Sequence, residues 1–149
     1  MATVEAPFDQ VKILVGDGES PEVFTQLCLV NLSRSMTFTN NMQDDEIPDC
    51  MDVTKPAGIK REVRSTDFEI SGEGKLHVTD LATMLTWWKD AEKKNVRAEV
   101  GVAGSGGQRI SGEFYLSSFE ITGPFKETAT ASVSFMPVDT RALTVAALT

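Results

Sequence analysis

Between Thr128 and Met136 every second residue is apolar. Ala129, Ala131, Val133 and Phe135 alternate with Thr128, Thr130, Ser132 and Ser134. A period of two sends these sets to opposite faces of a strand, one toward a core and one away from it. The same period recurs at 65 to 71, where Phe68 and Ile70 alternate with Asp67, Glu69 and Ser71. It recurs again at 96 to 102, where Val96, Ala98, Val100 and Val102 oppose Arg97 and Glu99. VKILV at 11 to 15 and the run from Phe24 to Phe38 predict further strands. EFYLSSFEI at 113 to 121 alternates and then changes phase near Ser117 and Ser118, as a strand does across a one-residue bulge.

One segment has the helical period. In TDLATMLTWWKDAEKKN, Leu81, Met84, Leu85 and Trp88 fall at i, i+3, i+4 and i+7. Thr79 or Asp80 suits the N-cap, Lys89, Lys93 and Lys94 suit the negative end of the dipole, and Asn95 can close the element. The predicted helix covers about residues 80–94. Trp87 and Trp88 point about 100° apart, so one joins the apolar stripe and the other flanks it or meets a neighbour. One helix among strands implies a mainly β, mostly antiparallel sheet with that helix covering a face or an end. GVAGSGGQRISG at 101 to 112 reads as a glycine-rich hairpin tip; it has neither GxGxxG nor GxxxxGK[ST], and no helix follows.

Residues 40–64 show no sustained period and carry Pro48 and Pro56, so they are expected to form a long charged loop. The charge is ordered: Asp44, Asp45, Glu46, Asp49 and Asp52 come first, then Lys55, Lys60, Arg61 and Arg64. A negative half followed by a positive half suits two copies meeting head to tail; a plain solvated loop is the alternative.

Composition narrows the function classes. A chain of 149 residues with 41% hydrophobic and 24% charged residues fits one globular domain, 1–149, with a real core. Lys and Arg total 14 against 22 Asp and Glu, a net charge of −8, which argues against gripping phosphate backbones. The start, MATVEAPFDQ, has neither a basic leader nor an apolar run, so no secretory signal is expected, and no stretch is apolar enough for a membrane span. Cys28 and Cys50 form no CxxC motif and are expected to be reduced thiols of a chain made in the cytoplasm.

No catalytic set emerges. His77 is the only histidine, with no nucleophile motif around it. Glu69 with Glu73, or Glu113 with Glu120, could in principle act as acid and base, but outward acids on strands are more often solubilising. The acids at 44 to 52 lack the EF-hand spacing, and no metal or cofactor is expected. Binding and assembly remain.

The order of elements resembles the tail tube proteins, or major tail proteins, of long-tailed, siphovirus-type bacteriophages. The acidic DDE stretch before STDFEISGEG carries the resemblance, with the helix LATMLTWWKDAEKK, the run RISGEFYLSSFEITGPFKETATASVSF and the closing MPVD. It spans roughly residues 25 to 140 and rests on order and pattern more than on identities. It implies a β-sandwich or barrel with one flanking helix, built into hexameric rings that stack as a tube. Residues 1–10 would be an N-terminal arm, 40–64 an inter-ring assembly loop, and 137–149 a C-terminal tail. Tail-tip initiator, terminator and tape-measure proteins would be its partners. DNA would pass through without specific binding, in a virion tail assembled in the host cytoplasm. Candidate lumen-lining acids are Asp67, Glu69, Glu99, Glu113 and Glu120, because they fall on polar strand faces. A carbohydrate- or protein-binding β-sandwich is the other reading. It needs an aromatic concave surface, yet Tyr115 is the only tyrosine and both tryptophans fall on the helix.

Overall fold

The computed structural model describes residue 5 and residues 7–27 and 29–149. Cys28 and part of the N-terminal arm therefore lie outside the described residues. The period-two segments are strands: β1 (Val11–Gly16), β2 (Phe24–Gln26), β3 (Ser33–Ile47), β4 (Gly58–Lys75), β5 (Lys94–Val100), β6 (Gln108–Thr122), β7 (Thr130–Pro137) and β8 (Thr144–Ala147). They form one sheet in the order β2-β1-β5-β6-β7-β4-β3, every neighbour antiparallel, with β8 added beside β6. The sheet curls on itself: Arg34 on β3 donates to the carbonyl of Val11 on β1, although three other strands and β7 separate them in sheet order.

The apolar half of each alternation lines the inside of the curl. Phe68 and Ile70 of β4, Phe114 and Leu116 of β6, and Ala131, Val133 and Phe135 of β7 are buried together with Val96 and Ala98 of β5. The phase change in β6 is a bulge. The register shifts between Leu116 and Ser118, and the Ser117 hydroxyl donates to the Ser134 carbonyl at 2.9 Å. Past the bulge Phe119 again packs against the core to which Leu116 belongs.

Three expectations change. The run from Phe24 to Phe38 is not one strand. It turns between β2 and β3, and Leu27, Leu29 and Val30 are buried by that turn, which folds closely over β4. Gly74 permits the approach, since a Cβ there would run into the Leu29 carbonyl and the Asn31 side chain. Helix α1 spans Val78–Lys89 rather than 80–94, with the exposed His77 as N-cap. Ala91 takes a left-handed φ of 49°, and the Trp87 indole donates to the Glu92 carbonyl at 2.8 Å, so the chain leaves the helix early and Lys94 already pairs in β5. The core takes Met84 and Trp87 from α1, Trp87 stacking on Phe135 with ring centroids 4.9 Å apart, while Trp88 stays 61% exposed.

The third change is the largest. Most of 40–64 is not loop but ladder: β3 and β4 pair from Ser33↔Glu73 to Ile47↔Gly58, leaving only residues 48–57 as the turn. Its two halves hide their period because polar and apolar side chains share both faces beyond the core, and a register shift near Asn41 breaks the alternation. The C-terminal segment also joins the sheet. It forms a 3-10 turn at Thr140–Ala142 capped by Asp139, and β8 then pairs with β6 from Ser111↔Thr144 to Gln108↔Ala147.

Candidate assembly site

β7 pairs with β4 only from Ile70 to Lys75. The rest of β4, with its partner β3, projects past the sheet as a hairpin. Asp44, Asp45 and Glu46 lie on β3, Lys60, Arg61 and Arg64 on β4, and Asp49, Asp52 and Lys55 at the tip. The ordered charge is matched in part inside the hairpin. Asp44 stands opposite Arg61, whose Nε lies 3.1 Å from Asp44 Oδ1, and Asp45 stands opposite Lys60. Lys60 and Arg64 approach Glu62 at 3.5 and 3.8 Å. One ion pair, Asp44–Arg61, thus joins the two charge blocks, because the hairpin folds one back on the other.

The tip is tied by short-range bonds. The Asp49 carboxylate accepts from the Met51 amide at 2.9 Å. The Thr54 hydroxyl and then its amide donate to Asp52, at 2.5 and 3.0 Å, and hold that carboxyl below its ordinary range. Met51 points away from the chain, 90% exposed, and the free thiol of Cys50 is exposed beside it.

The outer face of β6, β7, β4 and β3 is the second feature. The register lines up Ser35, Ser71, Ser134 and Ser118 in one row across four strands, and Ser33, Glu73, Ser132 and Glu120 in the next. Asp67 and Glu69 extend the face along β4, opposite Thr39 and Thr37, and the Ser134 hydroxyl donates to Glu69. At the outward positions from Ser65 to Glu73 and across their partners there is no lysine or arginine; Arg34, opposite Gly72, turns to the other side and donates to the Val30 and Val11 carbonyls, and Lys75 stands at the rim. Three of the five sequence-derived acids, Asp67, Glu69 and Glu120, therefore share this face. Glu73, which the sequence reading did not place there, joins them.

The structure does not bring Glu99 and Glu113 to the same place. Glu99 belongs to the β5–β6 wall, where Arg109 Nε binds it at 2.9 Å, so its charge is matched and largely shielded. Glu113 lies opposite Asn95 on β5, upstream of the bulge. A period of two says which residues face outward; only the strand order says which outward faces coincide.

The four-strand face ends in two open edges. The second edge of β3 pairs with no strand among the described residues, and β6 beyond Phe114 has no partner on the β5 side. Because β6 and β4 run one way and β7 and β3 the other, an edge β3 would meet the β6 of an identically oriented copy antiparallel. Unpaired edges of this length invite pairing with another chain.

No three His, Cys, Asp or Glu side chains gather as metal ligands among the described residues. His77 lies 3.4 Å from the Asn31 amide and far from any nucleophile arrangement. Among the described residues no helix is long and apolar enough to cross a membrane.

A projecting hairpin, a hydroxyl-rich face and two complementary edges describe a building block. The family profile described as phage tail tube protein matches residues 8–137. The chain belongs to that family. It is a structural protein of phage-type tails, not an enzyme. Solved structures agree on the fold of this tail tube chain. The tail of an empty gene transfer agent particle, refined with C6 symmetry, superposes with a TM-score of 0.70 at 15% identity, over 96% of this chain and all of that one. The SPP1 tail tube gives 0.61 at 12%, over 96% of this chain and 80% of that one. The sheath–tube complex of an extracellular contractile injection system gives 0.61 at 12%, over 99% and 95%. No curated protein matches by sequence.

Proposed function

We propose that six copies of this tail tube subunit close edge to edge into a ring and that rings stack into a conduit for DNA in a siphovirus-type, non-contractile tail. The observation that carries the reading is the four-strand, lysine-free face bounded by two open edges of opposite direction. The C6 symmetry of the similar gene transfer agent tail supports the sixfold number. β3 of each copy would pair with the free part of β6 in the next, and four strands from each of six copies make a 24-stranded inner barrel. At about 4.8 Å per strand and a tilt near 40°, its backbone is about 48 Å across. Side chains reaching ~6 Å inward leave a bore of roughly 36 Å, wide enough for duplex DNA.

The wall would then carry Glu69, Glu73 and Glu120 from every copy, with Asp67 at its rim where the hairpin begins. Six copies at −8 give a ring of −48. Each phosphate that a lysine or arginine neutralises adds salt-dependent affinity, so a wall without them lets a polyanion slide. The hairpin carrying Asp44 to Arg64 would reach the adjacent ring, with Asp45, Glu46, Asp49 and Lys55 at its far end available for contacts there. Initiator, terminator and tape-measure proteins would set where the tube starts and stops, in a virion assembled in the host cytoplasm. The sandwich-module reading is the weaker one, since Tyr115 stands on β6 and Trp88 on α1, two different elements.

Light scattering after size exclusion, with negative-stain microscopy of concentrated protein seeded with a tail-tip initiator, tests the proposal. Sixfold rings and hollow tubes are expected. A monomer that stays featureless under both conditions would refute it.

A further inference from the structure

The two ends of β6 carry matching shapes. Past its end, the turn from Gly123 to Ala129 presents Phe125, 88% exposed, beside Lys126 with its left-handed φ of 61°. The Glu127 amide closes that turn on the Pro124 carbonyl at 3.2 Å, so the ring is displayed by a defined bend. Near the start of β6, where β4 parts from β7, a cleft of about 300 Å³ opens between the hairpin base and the C-terminal segment. Phe38, Phe68, Ile110, Leu143 and Val145 make its apolar lining, and Asp67 stands at its polar side. Phe38 and Phe68 stack with centroids 4.7 Å apart, yet Phe38 remains 65% exposed because nothing among the described residues covers it.

Twelve residues of strand separate Ile110 from Thr122, about 40 Å at ~3.3 Å per residue, so Phe125 cannot reach the cleft of its own chain. We propose that Phe125 of one copy inserts into the Phe38–Phe68–Leu143–Val145 cleft of a copy in the next ring, with Lys126 set against Asp67. This rests on the tube reading above and names the contact that stacks the rings. Three observations favour a second copy of this chain as the occupant. The ring and the cleft lie at opposite ends of the subunit, the poles that meet when identically oriented rings stack. The size fits, since a dry cavity of about 150 Å³ already takes a benzene ring. The charges are complementary, a lysine beside the knob and an aspartate beside the hole. A knob and a hole on different parts of one surface make a heterologous contact, which propagates without limit unless it closes.

The test uses the purified chain under conditions in which the wild type forms tubes. Phe125→Ala is expected to fold with an unchanged melting temperature and to close into rings, while tube mass falls at least tenfold; Phe125→Leu should restore most of it. Tubes of wild-type length from Phe125→Ala would overturn this inference and leave the ring proposal standing. Wild-type protein forming neither rings nor tubes would remove both. Independently, Phe125→Cys with Val145→Cys in a Cys28→Ser, Cys50→Ser background is treated with a short bis-maleimide, the single-cysteine variants serving as controls. A ladder continuing past six copies is the expected result. A series ending at six would place the contact within a ring, and no ladder from intact tubes would exclude the contact; either result overturns the inference.

Discussion

Glu120→Lys puts the conduit reading to a quantitative test. Glu120 stands in the row with Ser33, Glu73 and Ser132, on the face assigned to the inner wall, and it is exposed there. Replacing it costs the fold little, because it touches only the Thr122 hydroxyl, 3.3 Å away. In a sixfold ring the substitution adds six ammonium groups at one level. If each reaches one phosphate, log K falls with log salt at a slope of about −0.9 × 6, or about −5.4. Between about 50 and 200 mM salt that is a loss of roughly a thousandfold. The assay is assembly of wild-type and variant rings into tubes in the presence of short labelled duplexes, followed by sedimentation and nuclease digestion. Wild-type tubes should retain almost no DNA. Variant tubes should retain nuclease-protected DNA at low salt and release it steeply as salt rises. Variant tubes indistinguishable from wild type, or carrying DNA fully open to nuclease, would refute the assignment of this face to the lumen.

Three further outcomes follow from the packing and the tip. Trp87→Ala should cost about 3–5 kcal/mol in denaturant unfolding, since its ring is buried against Phe135, whereas Trp88→Ala should stay within about 0.5 kcal/mol. Gly74→Ala should destabilise by at least about 1–3 kcal/mol because the new methyl meets backbone that cannot swing aside, and a rigid-body fit of both crystal structures would show the 29–31 turn displaced. The Asp52 carboxyl should titrate below the ordinary carboxylate range by NMR, and Thr54→Val should raise it toward that range. With the folded pKa depressed, the tip's stabilisation is present above the unfolded value and is lost as pH falls through the folded one.

The strands that lie half in the core were legible because burial on one side imposes a strict period. β7 and the bulge of β6 could be placed to within a residue or two. The projecting hairpin was not, because period two reports burial and its outer half is buried on neither side. There Met42 faces Val63 while Asp44 faces Arg61, so one face mixes apolar and charged pairs. The opposed blocks of charge were the visible trace of that pairing, since strands folded back on one another bring the start of the segment against its end. Helix α1 was found but rotated. The pattern favoured Leu81, Met84, Leu85 and Trp88; Met84 is buried as that stripe implies, but Trp87, held by its bond to Glu92 at the early exit, takes the place of Leu85 and Trp88. Among the acids, Glu99 lies away from the four-strand face for a similar reason: its partner Arg109 sits across a hairpin that the sequence marks only by its glycines.

The row Ser35–Ser71–Ser134–Ser118 carries the smallest hydroxyl on all four strands. In the proposed ring six such rows would contribute 24 of these groups, each row slanted with the tilted strands and none extending more than two heavy atoms from the main chain. Along these rows the clearance would be set by the hydrogen-bonded backbone, with no long side chain to swing across it. A cargo would slide over a surface whose height there is constant, whatever the thermal motion of its neighbours.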